Sequence, residues 1–154
     1  MKAQIEKFKV NGKVYAWTYK DNQNNYPGWN FTLDKTASES LTELIDLMDE
    51  CEWASKKTFG LEMPTDLQIG VPNNQNGMAR WKTTSKMTFN HRKNESENHW
   101  LIKKSDIGIE IQFGIKKLTE LRNAINGIPK GKGDFAISSN DDENILYFWW
   151  NLEK

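Results

Sequence analysis

Two histidines, His91 and His99, stand eight residues apart in "HRKNESENH", with Glu95, Glu97 and Asp106 close by in the chain. Imidazoles and carboxylates together can hold a divalent metal or move a proton, so this stretch is where a cleft for a small ligand or a hydrolase would be sought. The spacing fits neither neighbouring turns of one helix nor a common zinc motif. A polar surface loop accounts for the same residues, and both readings stay open.

The other chemistries have weaker footing. Cys51 is the only cysteine, so there is no disulfide framework and no thiolate cluster. No G-x-S-x-G elbow supports a serine nucleophile. "GIPKGKGD", residues 127–134, is glycine-rich and basic, but it departs from the P-loop pattern and follows a helical stretch instead of leading into one. It reads as a helix-to-strand turn, with Lys130 and Lys132 as contacts for an acidic partner. "NDDEN", residues 140–144, lacks the frame of a calcium loop and reads as a solvated hairpin tip. These residues call for no metal, no cofactor and no catalytic group.

Aromatic residues offer binding instead. In "YPGWNF" Tyr26, Trp29 and Phe31 surround a Pro-Gly turn, either as anchors for a partner or as the lid of a core. The closing run "ILYFWW", residues 145–150, does not alternate, as expected of a strand covered on both faces. If one of its rings is exposed for a ligand, Trp149 and Trp150 are the candidates.

Positioning these residues falls to a chain of 154 residues with 21 basic and 21 acidic side chains. The balanced charge leaves no electrostatic footprint for nucleic acid or an anionic membrane. No apolar run is long enough to span a bilayer and the N-terminus has no apolar leader, so a cytoplasmic setting is expected. The charges are unevenly placed: residues 39–52 hold six acids and no base. Eighteen aromatic residues can supply much of a core, and one domain over 1–154 is expected.

Asn11-Gly12 between alternating runs predicts a hairpin over residues 5–19, with Phe8, Val10, Tyr15, Trp17 and Tyr19 on the core face. "WNFTLD" predicts a strand. "TASESLTELIDLMDEC" predicts a helix with a Thr36/Glu39 capping box and an inward face of Leu41, Leu44, Ile45 and Met48. A short strand is expected near Leu67–Val71, and a strand in "RWKTTSKMTFNHRK". "HWLIKK" and "IGIEIQFG" predict a second hairpin. "IKKLTELRNAI" predicts a second helix, with Ile115, Leu118, Leu121 and Ile125 inward and Gly127 ending it. The last two strands are "DFAIS" and "NILYFWWN". The result is an α+β fold, mainly antiparallel sheet with two amphipathic helices. "LTEL" occurs in both helices, which allows a β-β-α-β-β pseudo-repeat.

In "YPGWNFTLDKT" and "NHWLIKKSDIGIEIQFGIKKLTELRNAI" the chain resembles small bacterial immunity proteins that protect a cell from polymorphic toxins. The resemblance implies a non-enzymatic cytoplasmic inhibitor of a cognate toxin, and it implies no particular binding residues. Read from the residues themselves, an acidic helix carrying Glu39, Glu43, Asp46 and Glu50 can cover a basic partner, with Tyr26 and Trp29 as aromatic contacts. The alternative is a ligand-binding protein or hydrolase with a cleft near His91 and His99. Oligomeric state is open.

Overall fold

The computed structural model describes residues 2–19, 28–69, 81–106, 108–131, 135–139 and 144–151. Along them run α1 (Lys2–Lys7), β1 (Val14–Tyr19), β2 (Trp29–Leu33), α2 (Lys35–Glu50), β3 (Ser55–Gly60), α3 (Asp66–Ile69) and β4 (Trp81–Thr83). There follow β5 (Lys86–His91), β6 (Trp100–Lys104), β7 (Ile109–Phe113), α4 (Ile115–Gly127), a 3-10 turn over Ile128–Lys130, β8 (Phe135–Ile137) and β9 (Leu146–Phe148). Five strands form one sheet in the order β4-β1-β2-β9-β8, and four form another in the order β3-β5-β7-β6. Pairing is antiparallel except where β2 meets β9 and β5 meets β7. This is the α+β class expected. Among the described residues no helix is long and apolar enough to cross a membrane.

The two parallel pairs are where the segment up to β5 meets the segment from β6 onward. The β1–β2 pair continues into β9–β8, and the β7–β6 pair continues into β5–β3, so each sheet is assembled from both halves. α2 and α4 pack against each other, and their inward residues join both sheets in one apolar cluster. Leu41, Leu44, Ile45 and Met48 are fully buried, as their spacing predicts. On α4 Leu118, Leu121 and Ile125 are buried, but Ile115 in the first turn is exposed. The repeated "LTEL" is out of phase with the helix starts: Leu41 and Leu121 each lie seven residues beyond their N-caps, Asp34 and Gly114.

The expected first hairpin is replaced by a helix and a loop. Residues 2–7 are helical and rich in helix formers, and β1 takes β2 and β4 as its partners. The amides on either side of Gly12, those of Asn11 and Lys13, are engaged by the start of α2 instead of by a facing strand. Asn11 N–H donates to Ser40 Oγ (3.0 Å) and Lys13 N–H to Asp34 Oδ2 (3.1 Å). Gly12 has φ +84°, and a Cβ there would collide with the backbone of Ala37.

That loop also changes the cap of α2. Asp34, two residues before Thr36, is the N-cap, and its Oδ1 accepts from Ala37 N–H at 2.8 Å. A carboxylate bonded to two backbone amides outcompetes the predicted Thr36/Glu39 box. A true capping box occurs at α3, where Thr65 N–H donates to Gln68 Oε1 (3.0 Å) and Gln68 N–H to Thr65 Oγ1 (3.2 Å). It turns the predicted strand at Leu67 into a short helix. Gly127 stays right-handed, and the left-handed stop falls at Gly131 (φ +78°) after Pro129 has entered the 3-10 turn.

β1 is buried on both faces. Val14 and Ala16 meet the main core, while Tyr15, Trp17 and Tyr19 join Trp149 and Ile69 in a second cluster, flanked by Trp81 and Tyr147. α3 closes over it, with Tyr19 Oη donating to the Ile69 carbonyl at 2.5 Å. Of the predicted face, Tyr15, Trp17 and Tyr19 do share a side of β1, but it is the side of the sheet away from α2 and α4, and Phe8 and Val10 pack against the main core instead. Trp149 is buried and donates to Asn30 Oδ1 at 2.8 Å, whereas Trp150 is partly exposed.

Candidate partner-binding surface

α2 lays an acidic stripe along the surface because Ala37, Leu41, Leu44, Ile45 and Met48 occupy the inward face. Glu39, Glu43 and Glu50 are exposed, as are Asp49 and Glu52. Asp46 is half-buried and tied to α4: Arg122 Nε donates to Asp46 Oδ1 at 2.6 Å and Nη2 to Oδ2 at 3.2 Å. This bidentate bond raises the Arg122 pKa above its ordinary value. Three of the four predicted acids are therefore free to face a partner, and the fourth braces the helix pair.

The placement of these acids works against the helix. A helix C-terminus carries partial negative charge, so each acid in the last turn costs about 0.3–1 kcal/mol, yet Asp49 and Glu50 stand there with no base in that turn. Lys93 Nζ donates to the Asp49 carbonyl at 2.8 Å and offsets part of that field. The remaining negative potential points outward, where it can attract a cation.

Directly after this end of α2 comes Trp53, 71% exposed. Cys51 is buried and its N–H donates to the Leu47 carbonyl at 3.0 Å, so the chain is anchored before the bend at Glu52-Trp53. β3 anchors it again from Ser55. The indole is thus held between two fixed points with most of its surface in water, a few residues along the chain from Asp49, Glu50 and Glu52. Trp is among the commonest interface anchors, and charged side chains belong to the rim around such an anchor. Nothing in the pattern of "CEWAS" distinguishes an exposed Trp from a buried one; only the early end of α2 and the start of β3 decide it.

The predicted aromatic loop is different. Trp29 is 8% exposed and sits in β2 as part of the main core, so it is packing and not a surface anchor. Phe31 is fully buried against Phe148. Tyr26, Lys132 and residues 140–143 lie outside the described residues.

The histidines are not brought together. His91 lies on the inward face of β5, fully buried, stacked on Phe113 at 5.5 Å, with Nδ1 bonded to the Met48 carbonyl at 3.2 Å. Burial lowers its pKa, and the Met48 bond only partly opposes this. His99 Nε2 pairs with Gln112 Oε1 at 3.0 Å, and Gln112 alternates with Phe113 onto the other face of the sheet. The sheet thus separates the two rings. Among the described residues no group of three or more His, Cys, Asp or Glu side chains could hold a metal ion. No protein-family model, curated protein or solved structure matches this chain.

Proposed function

We propose that the protein is a non-catalytic binding module, an immunity-type inhibitor that captures a basic protein toxin in the cytoplasm through the outer face of α2 and Trp53. The observation that carries this reading is the exposed Trp53 indole just after the acidic end of α2. Glu43, Asp49 and Glu50 supply the field that steers a basic surface into place, and Trp53 supplies the desolvated contact that slows its departure.

The test is capture by the tagged chain, with two variants run in parallel: Trp53→Ala, and Glu43→Gln/Asp49→Asn/Glu50→Gln. A basic protein retained by the parent and lost from both variants supports the reading. Retention of the same proteins by all three chains would reject it.

A further inference from the structure

A groove of about 690 Å³ runs between α1 and β3, and among the described residues its walls carry Lys2, Lys56, Lys57 and Arg92 against a single acid, Glu6. The volume is that of a small-ligand site. Lys57 is held in place, its Nζ donating to the Glu6 carbonyl at 2.7 Å. Arg92 faces Glu95 at 3.2 Å in a surface pair, which contributes little and can be exchanged for a better anion. Ser55 borders the groove but turns inward with His91, its partner on β5, whereas Lys56 and its partner Asn90 share the other face of the sheet with Arg92.

We propose that this groove binds a phosphorylated small molecule. The Lys2 and Lys56 ammonium groups and the Arg92 guanidinium take the phosphate oxygens, and Asn90, opposite Lys56 on β5, supplies a neutral donor. Arg92 offers a planar fork for two oxygens of one phosphate, and the lysines act as point charges. Ile5 and Ala54 give the groove an apolar portion against which the rest of the molecule can lie.

The experiment is calorimetric titration of the full chain with ADP, with inorganic pyrophosphate, and with adenosine as the uncharged control. ADP and pyrophosphate should bind and adenosine should not. Raising the salt from about 0.05 to 0.3 M should weaken binding. Lys56→Gln/Arg92→Gln should lower ADP affinity by about tenfold or more. Silence from both ADP and pyrophosphate, or unchanged affinity in the Lys56/Arg92 variant, would overturn the proposal. So would adenosine binding as tightly as ADP, or binding confined to single-stranded oligonucleotides. Trp53→Ala should leave ADP affinity unchanged, which keeps this test separate from that of the partner surface.

Discussion

Ser55 and His91 stand directly opposite each other on β3 and β5, and both the hydroxyl of one and the Nε2 of the other are buried without a hydrogen-bond partner. Facing residues in an antiparallel pair bring their Cβ atoms within about 4.5–5.5 Å. Two unsatisfied polar atoms therefore share one small region between β3, β5 and the end of α2. Both carry a stability cost that substitution can expose.

Replacing Ser55 with alanine removes a buried hydroxyl and leaves its neighbours otherwise intact. Ser55→Ala should raise the unfolding free energy by about 1 kcal/mol, read as a higher urea midpoint with an unchanged slope. A clear loss of stability would mean that the hydroxyl has a stabilising role in the fold.

His91 makes stability depend on pH. Its folded pKa lies below 6.5 because burial disfavours the imidazolium. Below 6.5 the unfolded chain therefore takes up a proton that the folded chain refuses, so stability falls as pH drops through that value; above it the group contributes no slope. His91→Phe should cost about 1 kcal/mol at neutral pH through the lost Met48 bond, yet flatten the decline on acidification. Urea titrations at neutral and mildly acidic pH would read this, and an unchanged decline in the variant would assign it to other groups.

At Gly12 the backbone is left-handed and a side chain would strike Ala37. Gly12→Ala should destabilise the protein by about 1–3 kcal/mol, and Asp34→Ala by about 1–2 kcal/mol through the lost cap. Because both act on the seat of the same loop on α2, the double variant should fall short of their sum. Full additivity in chemical denaturation would contradict that shared role.

Trp53→Ala should change stability by less than about 0.5 kcal/mol, since the ring is mostly in water. If the surface is a partner site, the same change should lower affinity by about 2 kcal/mol, chiefly through faster dissociation. Surface binding kinetics separates the two effects, and a large stability loss with unchanged affinity would contradict both expectations.

Much of the fold was legible where periodicity and burial agree. The inward stripes of α2 and α4, the β6–β7 hairpin and the β8–β9 pair all follow from spacing. The N-terminal reading failed because Asn11-Gly12 is favourable both in a tight hairpin and in any loop needing a left-handed residue; contacts with Ser40 and Asp34 decided between them. The Thr65/Gln68 box was present in the sequence but hidden by neighbouring apolar residues of strand-like type. At the candidate surface, Glu39, Glu43 and Glu50 were readable from helical phase. Trp53 was not, nor was the diversion of Asp46 to Arg122, because both depend on how separate elements come together.

The exchange of strands between the two halves bears on how the chain folds. Thr32 and Trp149, 117 residues apart, are joined by a 2.7 Å hydrogen bond beside the β2–β9 pair. One edge of β2 has no partner until β9 has been made, and β7 arrives after β5 to complete the other sheet. Neither half can close a sheet by itself, so native contacts of high sequence separation must form together, which slows folding and makes unfolding all-or-none. Two fragments cut between β5 and β6 would each be unfolded alone and would regain structure only when mixed.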